Sequence, residues 1–171
     1  MSFAGPHDPM MERTLKLAHE KGIILIAAVG NAGPKSPPLY PGADKNVIAV
    51  TASDYNDRPF AMANRGRYIA VAAPGVDVMV PAPGNTYQLT TGTSVATAHV
   101  SGVAALMVER KPTITPDEVR AILMRTATPY SARPKGEEDG AGLVDPIAAL
   151  RALGPAQAAQ AAPRPAAPTM H

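Results

Sequence analysis

Apolar positions recur in two distinct patterns along this chain. Residues 7–21 place Met11, Leu15 and Ala18 on one helical face, with Glu12, Arg13, Lys16 and Glu20 elsewhere, and Lys21-Gly22 closes the helix. Residues 23–29 then form a continuous apolar run, IILIAAV, rich in β-branched side chains. Its length and composition predict a strand buried on both faces, as in a parallel sheet. Gly30-Asn31-Ala32-Gly33-Pro34 breaks that strand sharply, and residues 35–46 read as a Pro-rich loop. Further short apolar runs at 47–50, 68–73 and 77–80 predict additional strands, and 81–93 is turn-rich.

Residues 94–110 predict a helix that is apolar nearly all round, which would bury it in the middle of the fold. Pro112 stops it. Thr115-Pro116-Asp117-Glu118 has the form of a capping box and opens a helix over 116–126. Residues 127–142 read as loop and 144–153 as a last short helix. Alternating strands and helices predict an α/β fold, a mostly parallel sheet flanked by helices. Residues 1–153 make one domain, and 154–171 read as a disordered Ala/Pro-rich tail.

Composition narrows the function. Net charge is only +2 and the basic residues are scattered, so neither nucleic acid nor a membrane surface is an expected partner. There is no cysteine, which excludes a disulfide framework and thiolate metal sites. Residues 1–6 lack the basic start and apolar stretch of a secretion signal.

The strongest chemical signal is Gly92-Thr93-Ser94-Val95-Ala96-Thr97-Ala98-His99-Val100-Ser101-Gly102. A turn delivers Ser94 to the start of an apolar helix, where the positive dipole end favours developing negative charge. From these residues alone, Ser94 reads first as an N-cap, because caps outnumber nucleophiles. Asn31, following a buried strand, has an amide able to donate to an oxyanion, or is simply a loop residue tolerant of unusual backbone.

Taken together, these segments resemble the subtilisin family of serine proteases (subtilases). The nucleophile motif G-T-S-x-A-x-P-H-V-x-G is matched at Gly92, Thr93, Ser94, Ala96, His99, Val100 and Gly102. The chain departs from it at Ala98, where the family has Pro, and carries Val95 where Met is common. Ser2-Phe3-Ala4-Gly5-Pro6 resembles the substrate-binding strand, Ala27-Ala28-Val29-Gly30-Asn31 the oxyanion segment, and Tyr40-Pro41-Gly42 with Val47-Ile48-Ala49-Val50 a further family block. Ala73-Pro74-Gly75 resembles the A-P-G turn, and Gly140-Ala141-Gly142-Leu143-Val144-Asp145 the closing segment.

The resemblance implies the C-terminal part of a subtilisin-like peptidase domain, incomplete at the N-terminus. It implies Ser94 as nucleophile, Asn31 with the Ser94 N–H as oxyanion donors, and Ser2, Phe3, Ala4, Ala28, Val29 and Gly30 as the walls of a cleft for a peptide or protein substrate. Leu39 and Tyr40 would form the floor of its specificity pocket. Subtilases run Asp, His, Ser along the chain. The contexts D-(S/T)-G and H-G-T are absent, and none of His7, His19, His99 and His171 sits in a suitable motif. The expectation is therefore a serine endopeptidase by family, inactive by itself and completed by an N-terminal half of the same domain. The alternative is a non-catalytic relic that binds peptide or a partner. No cofactor is assigned. Many subtilases bind calcium, and Asp44, Asp54 and Asp57 are the acids to inspect, but no metal site is predicted from them.

Overall fold

The computed structural model describes residues 1–130 and 138–155. The first helix, α1 (Pro9–Glu20), starts at Asp8, whose carboxylate accepts the N–H groups of Met10 and Met11 at 2.7 and 3.0 Å. Leu15 is its buried residue, packed with Ala27 and Val47 against one face of the sheet. That sheet has three parallel strands in the order β1 (Ile26–Ala28), β2 (Ile48–Ser53) and β3 (Ile69–Pro74). All three are buried along nearly their whole length, as their unbroken apolar runs require.

The second helix, α2 (Thr93–Arg110), lies across the opposite face of the sheet. Val100, Val103, Ala104 and Met107 pack there with Ile26, Ile48 and Val50. Helices α3 (Pro116–Thr126) and α4 (Pro146–Ala152) complete this layer, adding Val119, Leu123 and Ala149 to the same core. Leu143 bridges both Ala72 and Thr128, tying the chain after α3 to the edge of β3.

Three expectations change. The strand predicted over 23–29 is regular only from Ile26 to Ala28. The turn-rich stretch contains β5 (Thr86–Thr90), paired antiparallel with β4 (Val78–Ala82) in a separate hairpin. Helix α2 is not wrapped on all sides: Leu106 is 48% and Val108 37% exposed. The tail predicted over 154–171 lies outside the described residues beyond position 155.

The capping box of α3 forms as predicted, and it carries a pH dependence. Glu118 accepts from Thr115 N–H at 2.8 Å and from Lys111 Nζ at 2.7 Å, while its own N–H donates to Thr115 Oγ1 at 3.2 Å. The Lys111 hydrogen bond, then that of the Thr115 N–H, lowers the Glu118 carboxyl from its ordinary 4.5 to about 2. The unfolded chain binds the proton first, so the contribution is fully present above 4.5 and fades as pH falls towards about 2. The melting temperature of Glu118→Gln is expected to lie below wild type at neutral pH, with the gap closing through that window. A gap unchanged by pH would contradict the assignment.

Candidate active site

The site forms where β1 ends, α2 begins and residues 1–5 run alongside. Ala28 N–H donates to the Met1 carbonyl at 3.0 Å, which sets the N-terminal segment beside β1. Gly5 and Tyr40 exchange two backbone hydrogen bonds of 2.8 Å, fixing the far end of that segment. Between these elements lies a cleft of about 150 Å³ lined by Ser2, Phe3, Ala4, Ala28, Gly30, Asn31, Thr93 and Ser94. Its size suits one side chain more than a whole small-molecule ligand, which typically occupies about 300–1,000 Å³.

Seven of the eight residues expected at the site therefore line one cleft. Val29 does not: it is fully buried against Ala49 and Ile69, because strand alternation turns its side chain away from Ala28 and Gly30. Leu39 is half-buried, and a methyl group built on Gly30 would stand 3.1 Å from its Cδ1. Leu39 thus abuts the cleft wall at Gly30.

Thr93, to which the sequence reading gave no role, organises the centre. It is fully buried. Its Oγ1 accepts the Gly30 N–H at 3.2 Å and donates to Asn31 Oδ1 at 3.0 Å, and its backbone N–H donates to the same Oδ1 at 3.0 Å. A backbone N–H can only donate, so the Asn31 oxygen must face Thr93 and the amide nitrogen must face away. Asn31 is thereby oriented with its NH₂ turned away from Thr93 and without a hydrogen-bond partner among the described residues. A methyl group on Gly92 would stand 3.2 Å from Asn31 Nδ2 and 3.9 Å from the Ser94 nitrogen, so both donors flank one point. Gly92 has φ 156° and ψ 161°, a conformation essentially restricted to glycine. The Ser94 N–H belongs to the first turn of α2, where no carbonyl within the helix can accept it.

Asn64 supports the same loop from behind, and it too was missed. It is fully buried, its N–H donates to the Gly30 carbonyl at 3.0 Å, and its Oδ1 accepts the Ala32 N–H at 2.9 Å. No local pattern in the sequence marks it, since its partner Ala32 lies 32 residues away and Gly30 lies further still.

Ser94 is half-buried, and its Oγ reaches only the Ser2 carbonyl, at 3.4 Å. Among the described residues no imidazole stands beside it. His7 contacts Glu12 at 2.8 Å and the Tyr40 ring edge-on, His19 contacts Asp117 at 3.3 Å, and His99 is exposed on α2. His171 lies outside the described residues.

The aspartates considered for calcium cap their own turns. Asp44 accepts from Asn46 N and Nδ2 at 2.8 and 2.9 Å, and Asp54 accepts from Asn56 N and Arg58 N, both at 2.9 Å. Asp57 closes the second of these turns. Among the described residues no group of three or more His, Asp or Glu is placed to hold a metal ion. No described helix is long and apolar enough to cross a membrane.

A serine at a helix start beside an oriented amide donor, at the end of a parallel strand, is the layout of the nucleophile side of a serine hydrolase. The subtilase family model matches residues 1–147, and the chain belongs to that family of serine peptidases. It is 36% identical over 141 residues to Subtilisin BL of Lederbergia lenta, a match covering 82% of this chain and 51% of that protein. It is 37% identical over 141 residues to M-protease of Shouchella clausii, covering 82% of this chain and 36% of that protein. A solved protease from Pseudoalteromonas arctica superimposes with a TM-score of 0.81 at 30% identity, over 88% of this chain and 49% of that one. The chain thus spans about half the length of these relatives or less.

Proposed function

We propose that this chain is the nucleophile-bearing part of a serine endopeptidase domain, completed by an Asp and a His from outside its 171 residues. Ser94 Oγ attacks the scissile carbonyl carbon and passes its proton to the imidazole. The carbonyl oxygen, now negative, is held by Asn31 Nδ2 and the Ser94 N–H. The intermediate collapses, the peptide C–N bond breaks and the leaving amine takes the proton. Water then releases the acyl group by the same steps in reverse order of partners. Residues 2–4 pair with the substrate backbone. The observation that carries this reading is the orientation of Asn31 by Thr93, which leaves a free amide donor beside Ser94.

A second reading, a peptide-binding relic without catalysis, is favoured by one observation: the Ser94 hydroxyl has only the Ser2 carbonyl near it. A fusion that supplies the N-terminal half of Subtilisin BL separates the two. In the order Asp, His, Ser, that half carries the missing acid and base. Hydrolysis of a chromogenic peptide by the fusion, and not by the chain alone, supports the peptidase. A folded fusion that binds peptide without cleaving it supports the relic.

The pocket should favour medium apolar side chains, because Leu39 abuts Gly30 and no charged residue lines the cleft. A basic side chain would bury its charge unpaired. In the fusion, Leu39→Gly is expected to raise kcat/KM for a substrate with Phe before the cut by roughly tenfold or more relative to one with Ala, a gain typical of relieving a few methylenes. An unchanged preference would place Leu39 outside the pocket.

A further inference from the structure

Asn31 stands between two planar peptide units, and only its two backbone dihedral angles relate them. Asn64 holds both units. Its N–H donates at 3.0 Å to the Gly30 carbonyl, which belongs to the peptide before Asn31. Its Oδ1 accepts at 2.9 Å from the Ala32 N–H, which belongs to the peptide after it. The Gly33 N–H donates to the Met62 carbonyl at 2.9 Å, so residues 62–64 lie along 30–33 as a clamp. Thr93 fixes the Asn31 side chain, and Asn64 fixes the backbone that carries it. The loop needs such a clamp. Gly30 at φ 102° and Gly33 at φ 94° flank an exposed Asn31, and glycine resists bending least.

The remainder of the Asn64 side chain gains nothing from being polar. The residue is fully buried. A backbone N–H can only donate, so Oδ1 must face Ala32 and Nδ2 is turned into the packed space over Gly30. A methyl group on Gly30 would stand 3.0 Å from that Nδ2 and 3.1 Å from Leu39 Cδ1. The Nδ2 has no hydrogen-bond partner among the described residues. Leucine would fill a similar volume without burying an unpaired donor, which is destabilising. Ala32 is exposed, so water could reach its N–H if Oδ1 were removed. Packing therefore favours an apolar residue at position 64, and what asparagine supplies in its place is the hold on Ala32.

We propose that Asn64 is a positioning residue of the oxyanion site, kept polar at the expense of stability. It fixes the backbone of Asn31, so that the Asn31 amide is aimed beside the Ser94 N–H before substrate arrives. A donor set in place beforehand needs no reorganisation when charge develops on the carbonyl oxygen. The catalytic consequence rests on the peptidase reading, whereas the hold on Asn31 is measurable without it.

The full 171-residue chain gives the first test. Hydrogen exchange is read by NMR at the Thr93 N–H, whose acceptor is Asn31 Oδ1. Asn64→Leu is expected to speed that exchange by about tenfold or more, with exchange along β2 unchanged and the melting temperature equal to wild type or above it. In the fusion with the N-terminal half of Subtilisin BL, Asn64→Leu should lower kcat by about tenfold or more and leave KM within about twofold. In an Asn31→Leu background the same substitution should lower kcat by less than about twofold, since a residue acting through Asn31 has nothing left to position. Unchanged exchange at Thr93 would overturn the proposal, as would full additivity of the two substitutions in kcat or a loss confined to KM. A lower melting temperature with faster exchange throughout β2 would make Asn64 a packing residue and overturn it as well. An active fusion whose kcat ignores Asn64→Leu sinks this proposal alone. An inactive fusion combined with faster Thr93 exchange sinks the peptidase reading and leaves the hold of Asn64 on Asn31 standing.

Discussion

In a fusion carrying the N-terminal half of Subtilisin BL, Ser94→Ala is expected to lower kcat for peptide hydrolysis by about 10⁶-fold, the loss subtilisin itself shows when its serine is removed. The size of the effect follows from the covalent step. Without the hydroxyl there is no acyl intermediate, and only water attacks the carbonyl. The residual rate comes from the oxyanion donors and from binding, which Ser94→Ala leaves in place. KM should therefore move little. The Oγ makes only a 3.4 Å contact with Ser2, so its removal has a small effect on packing and the melting temperature should stay close to that of the parent fusion. A loss below about a hundredfold would mean that another residue is the nucleophile. Chain unfolding would show instead as a lost melting transition.

The oxyanion side gives the second large effect. Asn31→Leu removes the amide donor at nearly constant volume. In the same fusion, kcat should fall by about 10²–10³-fold, the magnitude known for the equivalent donor in subtilisin, with KM nearly unchanged. Thr93→Val tests the orientation of that donor. It keeps the shape but removes the hydroxyl that bonds Gly30 N–H and Asn31 Oδ1, leaving the buried Gly30 N–H without its partner. The backbone N–H of Thr93 still holds Asn31 Oδ1 at 3.0 Å, so the loss in kcat should be smaller than for Asn31→Leu. Thr93→Val should also be the less stable protein, by about 1–3 kcal/mol for an unsatisfied buried donor. Thr93→Ser, which retains the hydroxyl, should restore most of both. If Thr93→Val lowers stability without touching kcat, Thr93 is a packing residue only.

Much of this could be read along the sequence because it is local. The β-branched runs at β2 and β3 are buried on both sides and carry no competing signal. The capping box of α3 is complete within four residues, and it forms. Of the hairpin β4–β5 only the start of the first strand was legible, for a physical reason. Pro81 lies within it and Gly84-Asn85 turns it, and these residues read as punctuation when their pairing partner is unknown. A proline is tolerated there because the hairpin has only two strands and an open edge. Ser94 and Asn31 were found through motif resemblance. Their environment was not, since Thr93 meets Asn31 across 62 residues and Asn64 meets Ala32 across 32. Hydrogen bonds of that span leave no periodicity. The exposed face of α2 was misjudged because an all-round apolar helix predicts burial but does not say which chain supplies the cover.

The central claim is that Ser94 is a nucleophile held ready but lacking its base. Labelling by a fluorophosphonate, followed by mass spectrometry of the modified residue, tests it most directly. The chain alone should label extremely slowly, whereas the fusion should label rapidly and at Ser94, with Asn31→Leu slower than its parent. Rapid labelling of the chain alone at the rate of an intact serine protease, or modification of the fusion at any residue other than Ser94, would contradict the account.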